Sequence, residues 1–375
     1  MYPSLHSRRR YVLGGAALLI AAVVSVALLL SANRATNRAR TRVGAIAVTT
    51  NATRPAATSS PPGSTARLFA PTSIWNSPIP SDAQIDPSSS ALISALDADV
   101  SSELRSRIGP WIATTEASTP IYIVGSDQPT VRVKLDDPTL SWRVALQRAF
   151  EAVPIPSDAR PAAGQDAVMT VWQPSTDKLW EFFEMRRDAD GWHAEWGGAI
   201  QNVSRSPGYY TTSSWPGASA GWGATATSLP SAAGVITLAD LRAGVIDHAL
   251  AVALPAPRAG VYAWPAERSD GTGGLDTIPE GARLRLDPKL DLNSLNLPPF
   301  TRMISEAAQR YGIIVVNQTH EGISFSAEDP SHYGGNKLYY GAHGFFDGLT
   351  PLQLLARFPW SHLQVLKLQL SPAKP

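Results

Sequence analysis

Apolar residues downstream of position 110 come in short runs, which Pro, Gly, Ser or Asp interrupts about every ten residues. Runs this short fit strands better than helices, so the chain has little choice but to build a β-rich fold. Residues 111–115, 121–124 and 131–135 are the first three runs. Residues 167–172 and 178–187 flank Pro174-Ser175-Thr176-Asp177, whose residue types favour a tight turn. A second hairpin turns at Asp188-Ala189-Asp190-Gly191 and returns through residues 192–200. Residues 261–264, 282–286, 313–316, 323–326 and 363–370 read as further strands, with 313–316 and 323–326 as a hairpin. Helix signals are few. They lie at 88–108, where Leu92, Leu96, Val100 and Leu104 recur every fourth residue, at 299–311, and at 350–358. Strands and helices do not alternate, which argues against a doubly wound parallel sheet. The expected fold is mostly β: an antiparallel β-sandwich or jelly-roll-like domain with several appended helices.

The stretch 221–255 is the best-defined part of that pattern. Gly221-Trp222-Gly223 opens a loop of small residues. Thr237 then offers an N-cap for a short helix through Leu238, Asp240 and Leu241, with Gly244 just past its end. Residues 245–254 alternate and read as one strand. Ile246, His248, Leu250, Val252 and Leu254 would share one face, and Asp247 would point to the other.

The amino end sets the expected address. Arg8, Arg9 and Arg10 precede an uncharged apolar run over 12–30. At about 1.5 Å rise per residue this run nearly spans a hydrocarbon core of about 30 Å. It exceeds the usual apolar region of a cleavable signal peptide, and Ser31-Ala32-Asn33 is a poor cleavage site. A retained single-pass signal-anchor is expected, with a basic cytoplasmic head at 1–11. Residues 31–66 have no aromatic, no acid and no leucine, and read as a disordered Ser/Thr/Ala/Pro stalk. Residues 67–375 are then a single extracytoplasmic domain at the cell membrane.

Charge and cysteine exclude several classes. The net charge of +1 hides eight arginines and no acid within 1–66, so 67–375 holds 24 basic residues against all 31 acidic ones. A mildly acidic domain is a poor partner for nucleic acid. There is no cysteine, so neither disulfides nor thiol chemistry contribute. All 11 tryptophans lie in 67–375. Stacking on sugar rings is one use of that richness, and core packing is the other.

The order Gly221-Trp222, Thr227-Ser228-Leu229-Pro230, Gly234-Val235-Ile236, Gly244-Val245-Ile246-Asp247-His248-Ala249-Leu250, Tyr262-Ala263-Trp264-Pro265-Ala266, Gly281-Ala282-Arg283-Leu284-Arg285-Leu286 and Gln309-Arg310-Tyr311-Gly312 resembles a family of predicted secreted bacterial proteins. The resemblance covers most of 160–320. It implies a shared fold and export, and carries no mechanism or catalytic residue with it.

Candidate sites come from the residues themselves. If the second hairpin is symmetric, Glu184 faces Glu195 and Arg186 faces His193. Opposed like charges destabilise a sheet, so an exposed Glu–Glu pair calls for a reason. A cross-strand pair suits the carboxyl spacing of about 5–5.5 Å in retaining glycosidases, one group attacking and the other protonating the leaving oxygen. The competing reading is two solvated glutamates splayed apart. His248, among aliphatics beside a Gly/Trp loop, is a third candidate, as a base or as a core histidine. Tyr209, Tyr210, Trp215, Trp222 and Trp264 are the candidate sugar-stacking residues. Gly217-Ala218-Ser219-Ala220-Gly221 matches a nucleophile elbow, with Asp240 and His248 following in hydrolase order, but it lacks a buried strand before it and a helix after it. His320, Glu321, Glu328, His332 and His343 match no zinc spacing. Residues 270–276 resemble a calcium loop in composition without its regular ligand spacing. No metal or cofactor is expected. The functional expectation is a membrane-anchored protein acting on a polysaccharide or cell-envelope glycan by hydrolysis or elimination. The alternatives are a non-catalytic envelope glycan-binding or structural protein and a serine hydrolase using Ser219.

Overall fold

The computed structural model describes residues 67–137 and 143–373. In chain order its elements begin with α1 (Ser89–Ser106), β1 (Trp111–Ala113), β2 (Ile121–Ile123), β3 (Val133–Leu135), α2 (Val144–Ala149), β4 (Met169–Gln173), β5 (Lys178–Phe183), β6 (Arg186–Asp188), β7 (Gly191–Ala194) and β8 (Trp196–Gln201). They continue with α3 (Leu238–Ala243), β9 (Leu250–Leu254), β10 (Val261–Ala263), β11 (Arg283–Leu286), α4 (Pro299–Arg310), β12 (Ile313–Gln318), β13 (Ser324–Ser326), α5 (Lys337–Tyr340), α6 (Pro351–Leu355), β14 (Leu363–Val365) and β15 (Leu370–Pro372). The strands form a six-stranded sheet, β1-β13-β9-β12-β11-β14, a four-stranded sheet, β2-β4-β5-β8, a three-stranded sheet, β3-β7-β6, and the pair β10-β15.

The helices start and stop where local chemistry tells them to. Thr237 and Asp240 form a reciprocal capping box on α3, and Gly244 ends it at φ 69°. Thr350 and Gln353 do the same for α6. Helix α4 has proline in its first turn, and Gly312 follows at φ 86°, where a Cβ would sit 2.5 Å from the Leu284 carbonyl. Trp75 and Asn76 dock the entry segment as expected. Trp75 is buried with its Nε1 donating to Gly208 at 2.7 Å, and Asn76 donates to the Leu68 and Ala70 carbonyls.

Strand alternation splits the core. Leu250, Val252, Ile313 and Val315 face one cluster with Phe300, Ile304 and Leu355 of the helices. Ala249, Ala251, Ile314 and Val316 face a second cluster with Met169, Val171, Trp180 and Phe182 of the four-stranded sheet. Alanines suffice at 249 and 251 because the Trp75 segment and Gly234 press on that face; a Cβ at Gly234 would meet the Trp75 ring at 2.5 Å.

Several expectations need correction. The protein is β-rich with few helices, but pairing is mixed: β1–β13, β9–β12, β2–β4 and β3–β7 are parallel. Strands β12 and β13 are not a hairpin, because β9 lies between them. The 363–370 run breaks into β14 and β15, which belong to different sheets. Residues 245–249 are not strand. The Val245 amide turns back to Asp240 as part of the helix cap, and the Ala249 amide donates to the Trp75 carbonyl, so neither is free for a ladder. Among the described residues no helix is long and apolar enough to cross a membrane. The head at 1–11, the apolar run 12–30 and the stalk 31–66 lie outside the described residues.

Candidate functional site

Strands β5 and β8 pair through Phe183↔Trp196, and β6 and β7 pair through Arg186↔His193. Glu184 therefore stands opposite Glu195 in count, as the symmetric turn predicts. The ladder opens at this point. Glu184 adopts φ 50°, and its amide and that of Met185 donate to Asp166 and Ala167 instead of across the hairpin. The Glu195 amide reaches back to the Phe183 carbonyl at 3.1 Å, which is the geometry of a bulge. The two glutamates thus sit where the four-stranded sheet hands the hairpin over to the three-stranded one.

Their environments differ. Arg143, just before α2, is buried and stacks over the Trp196 ring at 5.5 Å. It donates to the Glu195 carboxylate at 2.7 Å and to the Glu195 carbonyl at 3.1 Å. Glu195 therefore has a fixed counter-ion. Glu184 makes no ion pair among the described residues; partial burial first, then the charges of Glu195, Asp136 and Asp166, raise its pKa, against a smaller opposing effect of Arg186. Arg186 is committed elsewhere, gripping Asp136 through two bonds of 2.6 Å. One carboxylate with a counter-ion beside one that holds its proton more tightly is the asymmetry an acid/nucleophile pair requires. Arg143, Asp136 and Asp166 had no signal in the sequence, since they reach this point from separate elements.

His248 has another role. Its Nε2 lies 3.1 Å from the Asp240 carboxylate and its Nδ1 2.9 Å from the Ala249 carbonyl. Both partners accept, so the protonated ring satisfies both contacts at once. Burial opposes that charge, but Asp240 outweighs it and raises the His248 pKa. Asp240 is lowered despite its own burial, chiefly by His248. Both ring nitrogens are engaged by these partners. Asp247 is not its partner, as expected, though strand alternation is not the reason; it pairs with Arg67 at 2.7 Å. Ser219 sits in a loop, half-buried, with its carbonyl accepting from Trp222.

The Gly/Trp loop is pinned from below. Glu181 is fully buried and accepts from the Ala224 amide at 2.8 Å, the Ser231 amide at 2.6 Å and the Ser231 hydroxyl at 2.9 Å. Opposite it, a Cβ on Gly197 would lie 2.0 Å from the Glu181 carbonyl, and one on Gly198 would meet the Tyr210 hydroxyl at 2.3 Å. Tyr210 and Trp222 are both 1% exposed, so they pack the core and cannot stack on a sugar. Trp215 is half-buried against Trp180. Tyr209 and Trp264 remain accessible. Their rings meet edge to face at 5.9 Å, and Trp264 is 47% exposed.

Asp188, Asp190 and His193 bring ligand atoms within 4.8 Å of one another. Lys134 and His193 already bind Asp190, at 2.6 and 2.9 Å, and Arg186 binds Asp188 at 3.0 Å, so the cluster supplies its own cations. Two cavities elsewhere measure about 20 and 430 Å³ and hold none of the candidate residues. Comparison of the chain with protein-family models, with curated proteins and with solved structures finds no match in any of the three.

Proposed function

We propose that this protein is a membrane-anchored glycan hydrolase whose acid and nucleophile are Glu184 and Glu195. The observation that carries the reading is the asymmetry of that pair: Arg143 neutralises Glu195 at 2.7 Å, while Glu184 has no ion-pair partner among the described residues and a raised pKa. In the proposed cycle Glu184 gives its proton to the glycosidic oxygen as that C–O bond breaks. Glu195 forms a bond to the anomeric carbon. Water then displaces Glu195 from that carbon, giving its proton back to Glu184, with net retention. The test is a screen of the protein against envelope and plant polysaccharides, reading reducing ends and unsaturated products together. Reducing ends that Glu195→Gln abolishes support hydrolysis; unsaturated products transfer the reading to elimination.

A non-catalytic envelope binder is the second reading, favoured by the exposed Trp264 beside Tyr209. It would give binding without turnover, lost in Trp264→Ala. Three further proposals complete the picture. The four- and six-stranded sheets form a sandwich, supported by the hydrophobic cluster that both line. Residues 12–30 anchor the chain in a membrane, supported by their length and lack of charge. Export is further supported by the resemblance of 160–320 to predicted secreted proteins.

A further inference from the structure

Strand β10 and the turn after it present a surface that the glutamate pair does not use. The Ala266 amide turns back to the Ala263 carbonyl at 3.0 Å, closing a reverse turn just past β10. Ala263, Pro265 and Ala266 are buried, while Trp264 and Glu267 are exposed. Tyr262, half-buried, precedes them. Tyr209 comes from a separate segment, and its ring meets Trp264 edge to face at 5.9 Å. The Tyr262 hydroxyl bonds Ser371 of β15, and burial, then the charge of Glu267, raise its pKa. Three aromatic rings and one carboxylate therefore share a patch of surface.

The backbone beneath the patch is fixed. The Ala263 amide donates to the Glu280 carbonyl at 2.7 Å, the Trp264 amide to Gln369 at 2.9 Å and the Glu267 amide to Thr227 at 3.1 Å. Gly281 presses on the turn so closely that a Cβ there would collide with the Ala263 carbonyl. The Glu267 side chain, by contrast, has no hydrogen bond or ion pair among the described residues, and partial burial raises its pKa. The next cation along the chain is spent elsewhere: Arg268 donates to the carbonyls of Gly223, Thr225 and Ala226. An unpaired carboxylate beside aromatic faces attracts a cation, because its charge and the ring quadrupoles act in the same sense.

We propose that Trp264, Tyr209, Tyr262 and Glu267 form a binding site for an amine-bearing sugar, built on other elements than the Glu184–Glu195 pair. The inference rests on the glycan reading and holds whether or not the chain cleaves what it binds. The sugar ring lies on the exposed indole, and its ammonium group pairs with Glu267 against the aromatic faces. Charge selects this class of sugar. A neutral glycan laid on the patch would cover Glu267 without pairing it, which is costly. An acidic glycan would meet a like charge. The excess of acid in residues 67–375, 31 acidic against 24 basic, favours the same cationic ligand.

The test is calorimetry of the full chain with a glucosamine pentamer, its N-acetylated counterpart and polylysine. Each titration is run in the parent and in Glu195→Gln, so that cleavage is not mistaken for binding. The glucosamine pentamer should bind about tenfold more tightly than the acetylated one. Glu267→Gln, at an exposed position without partners, should melt as the parent does and erase that preference. Trp264→Ala should weaken both pentamers by about tenfold. The proposal is overturned by equal affinity for the two pentamers, by a preference that survives Glu267→Gln, or by no glucosamine binding up to about 10 mM. Polylysine binding as tightly per amine would also overturn it, because the site would then belong to a polypeptide. The hydrolase reading fails separately. Glucosamine binding with no polysaccharide cleaved sinks the Glu184–Glu195 pair and keeps this site, whereas cleavage without the glucosamine preference does the reverse.

Discussion

Replacing His248 by leucine should destabilise the protein at acid pH and hardly at all at alkaline pH. The ring donates one charge-assisted bond to Asp240 at 3.1 Å and one to the Ala249 carbonyl at 2.9 Å, with its side chain 19% exposed and that of Asp240 18% exposed. A hydrogen bond to a charged group contributes about 1.5–3 kcal/mol. Asp240 keeps its bonds to the Thr237 amide and hydroxyl, so it is not orphaned, and the loss should stay near that figure. The folded pKa of His248 is raised above its ordinary value. Its contribution is therefore complete below about 6.5 and disappears as pH rises through the folded value. Urea denaturation of parent and variant at pH 5.5 and 8.5 reads the difference directly. Glu103 and Glu328, both raised to about 7 by burial, give the parent the same direction of pH dependence. Only the difference between the two proteins isolates the histidine. Equal destabilisation at both pH values would refute the imidazolium. So would a variant that loses glycan turnover while keeping its stability, because that is the signature of a catalytic base.

Three other outcomes follow from the geometry. Glu181→Ala should cost more than about 3 kcal/mol, since it strips acceptors from two buried amides and a hydroxyl; a smaller loss on denaturation would mean water replaces them. Glu103→Gln should flatten the decline in stability between about pH 4.5 and 7, because Glu103 has a folded pKa raised to about 7 and stabilises only while protonated; an unchanged pH profile in thermal melts counts against this. Trp75→Ala should lower stability by about 3–5 kcal/mol, as a buried tryptophan that also bonds the Gly208 carbonyl is lost.

Much of the fold could be read locally, and the misreadings share one cause. The α3 cap, the turn at 188–191 and the Arg186↔His193 pairing depend on residues within a few positions of one another, and each was legible. Residues 245–249 looked like the start of β9 because they alternate. Their backbone bonds are claimed by a helix cap and by Trp75, more than 170 positions away in sequence, and alternation carries no trace of that. The 313–326 region looked like a hairpin because its strands are consecutive, yet β9 inserts between them. The site divides the same way. The Glu184–Glu195 opposition followed from turn symmetry, whereas Arg143 enters from 52 residues away. Tyr210 and Trp222 were indistinguishable from surface aromatics by type, and only packing against Gly198 and the Gly/Trp loop decides that they are core.

The most direct test of the central claim is the initial rate of reducing-end release by the parent, Glu184→Gln and Glu195→Gln on whichever polysaccharide the parent cleaves. The account predicts a fall of about 10²-fold or more in each variant, with folding retained. It also predicts that adding a small anionic nucleophile restores turnover in a Glu195→Gly variant with inverted stereochemistry. Full activity in either glutamine variant, or no new ends from any polysaccharide with the parent protein, would contradict it.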